Sequence, residues 1–153
     1  MQIEQLITKR ILDVVFSMVG LIVSSPFFVI IGLLIKCTDS GPIFYRQKRL
    51  TQGGKEFSIC KFRTMIQDAE KEMGARLAAE NDERILPVGK FLRRTRLDEL
   101  PQLWNILKGE MSVVGPRPER PELAKKIEEE IPEFSYRLKV KAGLTGYAQI
   151  YGK

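Results

Sequence analysis

Residues 93–118 read RRTRLDELPQLWNILKGEMSVVGPRP. Asp98 and Glu99 stand side by side there in a basic setting: residues 84–108 hold six Lys or Arg and only these two acids. Neighbouring positive charge favours the charged form of a carboxylate, so the pattern predicts an ionised pair. An anionic nucleophile acting on an anionic substrate needs such a setting, with basic groups on the substrate's phosphates and a divalent cation to offset the remaining repulsion. The same acids also suit an exposed helix start, where they complement the helix dipole. Spacing alone does not separate the two readings. Downstream, Leu97, Leu100, Leu103, Trp104 and Leu107 recur at helical spacing. Pro101 fits a helix that starts near Asp98, because first-turn N–H groups lack partners, and Trp104 is expected in the core. Residues 111–114 read as a short strand running into Gly115-Pro116-Arg117-Pro118. Two prolines fix φ on either side of one arginine, which aims a guanidinium at a phosphate.

The whole chain has 153 residues, a net charge of +6 and a pI of about 9.4. That length suits one modest domain. The charge calls for an anionic partner: nucleic acid, an anionic membrane surface or a phosphorylated substrate. There is no histidine, which excludes Ser-His-Asp and Cys-His catalysis and most zinc sites. Chemistry is left to carboxylates, Lys, Arg, Tyr or a bound metal. Cys37 and Cys60 lack metal-ligand spacing and are expected to be small buried hydrophobes in a reducing compartment.

Residues 11–35 are apolar apart from Asp13 and a few small polar side chains. As a helix they reach roughly 37 Å, enough to cross a hydrocarbon core of about 30 Å. Lys9-Arg10 precede the run and Lys36 follows it, so charge sets no orientation. Ser24-Ser25-Pro26 sits in the middle. Proline deletes a helical hydrogen bond, and serine hydroxyls satisfy carbonyls freed there. Composition alone favours a tilted span; the Ser-Pro step also allows a kinked helix that returns to the side it entered.

Ile43-Phe44-Tyr45, turn residues Gly53-Gly54 and the run Phe57-Ser58-Ile59-Cys60 predict a β-hairpin. Residues 36–66 carry seven basic residues against two acids, and Arg46, Lys48 and Arg49 suit anionic headgroups. Lys61 and Arg63 flank Phe62 and are candidates to point into a site. Residues 67–83 predict a charged, solvated helix. Pro87 and Gly89 read as breakers, residues 122–133 as a polar helix, and Gly143-Leu144-Thr145-Gly146 as a loop.

Taken in order, KRILDVVFSMVGLIVSSPFF, GPIFYRQKRL, KFRTM, LRRTRLDELPQLWNILKGEMSVVGPRP and AGLTGYAQIYGK resemble the bacterial sugar transferases, the monotopic phosphoglycosyl transferases that act on polyprenyl phosphate. The resemblance covers nearly the whole chain from Lys9. It implies a helix-rich α+β fold, with residues 1–36 as a re-entrant membrane helix broken at Ser25-Pro26. Residues 37–153 would form a membrane-associated catalytic domain with a small hairpin and amphipathic interfacial helices, on the cytoplasmic face of the bacterial inner membrane. It implies transfer of a sugar-1-phosphate from a nucleotide diphosphate sugar, usually a UDP-sugar, to polyprenyl phosphate in bacterial glycan assembly. In that picture Asp98 is the nucleophile that forms a covalent phosphosugar intermediate, and Glu99 helps to hold Mg²⁺. Lys61, Arg63, Arg93 and Arg117, the last between Pro116 and Pro118, contact substrate phosphates. The partners implied are the nucleotide sugar, polyprenyl phosphate and the membrane. Nucleic acid is not among them, and a homo-oligomer is left open. Ala142-Gly143 departs from the family's Pro-Gly, and members continue for tens of residues past the equivalent of Lys153, so a C-terminus short of the family's is expected. Two other readings stay open on the residues alone: a membrane-anchored module that binds anionic lipid or nucleic acid, and a catalytically silent scaffold.

Overall fold

A computed structural model describes residues 3–67 and 82–151. The charged helix expected over residues 67–83 lies outside these apart from its ends. By their contacts the residues fall into two units that interleave along the chain. Unit 1 comprises Met1–Val23, Arg46–Cys60 and Gln102–Lys153; unit 2 comprises Ser24–Tyr45 and Lys61–Pro101. The elements are predominantly helical, with two two-stranded sheets.

Helix α1 (Ile3–Thr38) runs through both units. At 1.5 Å per residue it is about 54 Å long, and by length and composition it is able to cross a membrane. Ile7, Ile11, Phe16, Ile22, Val23, Val29, Ile30 and Leu33 are exposed, a belt too apolar to face water over such a length. The interruption expected at Ser25-Pro26 is not seen: the helix continues through Pro26. A lone proline deletes a single i→i−4 bond, and the flanking ladder holds the helix together.

Strands β1 (Phe44–Leu50) and β2 (Glu56–Phe62) form the expected hairpin, joined by a 3₁₀ turn at Gln52–Gly54. Gly53 and Gly54 adopt φ of 71° and 70°, values that only glycine takes without strain. α2 (Pro87–Thr95) contains both residues read as breakers. Pro87 is its first residue, where a missing N–H costs nothing. A 3₁₀ turn, Leu97–Glu99, precedes α3 (Gln102–Lys108). The helix expected from Asp98 therefore begins four residues later. Pro101 has no N–H to offer the Leu97 carbonyl, which accepts instead from Leu100 N at 3.3 Å.

In unit 1, β3 (Ser112–Val114) pairs in parallel with β4 (Gly143–Thr145), in the register Ser112↔Gly143 and Val114↔Thr145. The segment read as a glycine-rich loop is thus a strand. α4 (Pro121–Glu130), a 3₁₀ stretch at Pro132–Lys139 and α5 (Tyr147–Tyr151) complete the unit. Buried polar groups lock α1 onto it. Asp13 Oδ1 accepts from Ser112 Oγ at 3.0 Å and Val113 N at 2.9 Å. Arg10 donates to the carbonyls of Ile106 and Leu107, both at 2.7 Å, which caps the C-terminal turn of α3. Asn105 ties α3 to β2 through Cys60 N (3.0 Å) and Ser58 O (2.9 Å). Trp104, expected in the core, is 52 % exposed, because Leu103, Asn105 and Ile106 occupy the inward face of α3. Cys37 is exposed as well, while Cys60 is half-buried.

The core of unit 2 gathers Ile31 and Ile35 of α1 with Phe62 and Leu92, and Phe28, Ile43, Val88, Leu97 and Leu100 pack around them. Phe28, Phe44 and Phe62 form an aromatic cluster with centroids 5.0–6.4 Å apart. Leu97 and Leu100, the residues that bracket the acidic pair, therefore pack against the same core as the half of α1 after Pro26.

Candidate active site

Unit 2 assembles the acidic pair from three segments. β2 alternates its side chains across the hairpin; Phe62 enters the core and Lys61 turns the other way. The Lys61 ammonium donates to Glu99 Oε1 at 2.7 Å, with both side chains more than four-fifths buried. The 3₁₀ turn at Leu97–Glu99 places Asp98 inward, at 8 % exposure. α2 supplies Arg93, whose Nε donates to Thr64 Oγ1 at 2.8 Å.

The approach of α2 depends on Gly89. A Cβ there would collide with the Thr64 carbonyl, and that carbonyl accepts from Leu86 N at 3.0 Å. Arg93 lies four residues on, hence on the same face of α2, which is how it reaches Thr64. Thr64 is the site residue that the reading of motifs did not single out, although it stands inside KFRTM. α2 ends at Arg96, which caps it in a left-handed conformation (φ 57°) and turns the chain into the acidic pair.

Electrostatics at Asp98 run against the sequence expectation. Burial pushes its carboxyl above the usual aspartate range, and Lys61 and Arg93 pull it back down while Glu99 adds to the rise. Basic residues counted along the chain predicted the favourable charges but not the desolvation, which wins.

Arg63 does not join this cluster. Its side chain is 4 % exposed and turns to Asp39, with Nη2 donating to the Asp39 carbonyl at 2.9 Å and Nη1 lying 3.0 Å from Oδ2. Ser25 and Pro26 are exposed on α1.

Pro116, Arg117 and Pro118 belong to unit 1. Gly143 N donates to Pro116 O at 2.8 Å, Gly115 N to Thr145 O at 2.9 Å, and Arg137 to the Arg117 carbonyl. Arg49 donates to Pro118 O at 3.3 Å. The turn is thus held through its backbone, and the Arg117 side chain is left exposed, at a cleft also lined by Thr51, Glu119, Phe134 and Arg137.

Among the described residues no group of three or more Asp, Glu, His or Cys converges to hold a metal. Asp98 and Glu99 offer hard oxygen donors, which suit Mg²⁺. That ion is commonly held by one or two carboxylates together with substrate phosphates, without an all-protein cage.

A family profile described as bacterial sugar transferase matches residues 4–153. A Bacillus subtilis (strain 168) protein named putative undecaprenyl-phosphate N-acetylgalactosaminyl 1-phosphate transferase is 48% identical over 85% of this chain and 72% of its own length. An Aeromonas hydrophila protein, UDP-N-acetylgalactosamine-undecaprenyl-phosphate N-acetylgalactosaminephosphotransferase, is 40% identical over 93% of this chain and 33% of its own. The UDP-glucose:undecaprenyl-phosphate glucose-1-phosphate transferase of Escherichia coli (strain K12) is 42% identical over 94% of this chain and 31% of its own. The chain thus spans most of the first relative and about a third of the other two. With a profile match over nearly every residue and a relative 48% identical over 72% of its own length, this chain belongs to the bacterial sugar transferase family.

Proposed function

We propose that this chain transfers a sugar-1-phosphate from a UDP-sugar to polyprenyl phosphate and releases UMP, at the cytoplasmic face of the membrane. The observation that carries the reading is the Lys61–Glu99 ion pair beside the buried Asp98. The relatives' names support the reaction class and the lipid.

In the first step an Asp98 carboxylate oxygen attacks the sugar-linked phosphorus of the donor. The phosphoanhydride bond breaks and UMP leaves with the bridging oxygen. In the second, a phosphate oxygen of polyprenyl phosphate attacks the same phosphorus, and the bond to Asp98 breaks. The product is a polyprenyl diphosphate sugar and the carboxylate is restored. Neither step removes a proton from a nucleophile, so a chain without histidine is equipped for both. Phosphoryl transfer relies on positioning and charge stabilisation, and each residue has a part in it. Lys61 fixes Glu99 and lowers the cost of charge on Asp98. Arg93, anchored by Thr64, faces the donor phosphate. Arg117, exposed on its braced turn in unit 1, is a separate candidate for a phosphate contact. Glu99 would help to hold Mg²⁺, which supplies charge neutralisation for the diphosphate when bound.

The apolar α1 would lie in the bilayer and bend at Ser25-Pro26 without losing its helical ladder, so that both ends return to the side of entry, with residues 37–153 forming the catalytic part. This delivers an acceptor phosphate at headgroup depth.

The test is UMP release by the detergent-purified chain with polyprenyl phosphate, Mg²⁺ and a panel of UDP-sugars. Release with one donor, lost in Asp98→Asn and on chelation, is expected and identifies the sugar. No release from any donor in a full-length chain would leave a non-catalytic scaffold as the better reading.

A further inference from the structure

The link between α1 and β1, residues 39–43, is gripped at three points by one residue. Arg63 N donates to Ile43 O at 2.9 Å, Arg63 Nη2 donates to Asp39 O at 2.9 Å, and Nη1 pairs with Asp39 Oδ2 at 3.0 Å. Asp39 itself continues α1, its N–H bonding Ile35 O at 2.9 Å. Gly41 lies flat against the guanidinium, where a Cβ would overlap Nη1. Arg63 Nε and Nη1 are buried and make no hydrogen bond of proper geometry among the described residues.

A guanidinium held this way is costly, because burying charge with donors unused loses more solvation than one ion pair returns. Stability alone would be served better by an apolar side chain. A guanidinium can do something else: its rigid fork fixes two points at once. Here it fixes the end of the membrane helix against the residue two places beyond Lys61, whose ammonium holds Glu99 at 2.7 Å beside Asp98. We propose that Arg63 and Asp39 are positioning residues, which set Lys61 on Glu99 by tying the end of α1 to the end of β2. The inference deepens the reading of the acidic pair as the reacting centre and rests on it for its kinetic consequence.

Asp39→Asn keeps the backbone carbonyl and the size of the side chain but discharges the clamp. Its expected effect is a kcat about tenfold lower, with the KM for the nucleotide sugar within about twofold of wild type. Arg63→Lys, which keeps charge without the fork, is expected to fall between wild type and Arg63→Gln. A second measurement needs no turnover: acylation of Lys61 by an amine-directed reagent, followed by peptide mass spectrometry. A lysine held in an ion pair reacts slowly, so Asp39→Asn is expected to speed Lys61 labelling about fivefold relative to exposed Lys90. An unchanged kcat together with unchanged Lys61 labelling, even with a lowered melting temperature, would overturn the proposal and leave the clamp purely structural. Faster labelling in a chain that releases no UMP would keep the clamp and discard the reaction.

Discussion

Asp98 is asked to be both buried and charged. Burial raises its carboxyl above the ordinary value of 3.8, so the folded state binds its proton more tightly than the unfolded state does. Stability contributed by this group is therefore greatest below the ordinary value and declines as pH rises through the raised one. Asp98→Asn removes the penalty. It is expected to abolish UMP release by about 10³-fold or more while melting above the wild type at pH 7.5, and calorimetry should show the gap closing as pH falls toward 3.8. Lys61→Met strips the cation that opposes the rise. Its expected signature is a kcat/KM about 10²-fold lower with the acid limb of the pH profile moved upward, read from initial rates across pH. The pair itself was legible in the sequence, because two acids among six basic residues stand out. The raised pKa was not, since charge is written along the chain while desolvation depends on what packs from elsewhere, here the unit 2 core against which Leu97 and Leu100 pack. Arg63 shows the same limit: its place beside Lys61 marked it for the site, but alternation fixes a face and leaves the partner unnamed.

The elements around the pair are set by single residues at their ends. α2 begins on Pro87, contains Gly89 and stops on the left-handed Arg96. Proline and glycine read as breakers, yet one starts the helix and the other lets it touch the Thr64 carbonyl. Arg96 is the exception that no pattern announces, because a non-glycine in the left-handed region costs about 1–2 kcal/mol. Arg96→Gly is expected to keep or raise the melting temperature. Arg96→Val, with a branched Cβ in that conformation, is expected to lose about 1–2 kcal/mol by denaturant titration. The hairpin and α4 were legible because Gly53-Gly54 and the run of charge in AKKIEEE act locally. β4 was not, since Gly143–Thr145 becomes a strand only when β3, some thirty residues earlier in the chain, comes alongside.

At the scale of the molecule, α1 contributes to both units: Asp13 and Ser17 are buried in one, Ile31 and Ile35 in the other. Removing residues 1–38 would leave Ser112 and Val113 without their carboxylate and empty the centre of the unit 2 core. The truncated chain is expected to aggregate or to lack cooperative unfolding, as judged by gel filtration and circular dichroism. A monodisperse product with a sharp melting transition would contradict this. The buried carboxylate of Asp13 also carries a timetable. Its partner Ser112 lies 99 residues downstream, and at the pace of ribosomal synthesis that distance takes about 5–20 s to make. For that interval the first helix is finished and its acid has only Lys9, one turn earlier at 3.9 Å, which favours a nascent chain parked at the bilayer surface, where headgroups and water share the charge until β3 emerges to claim it.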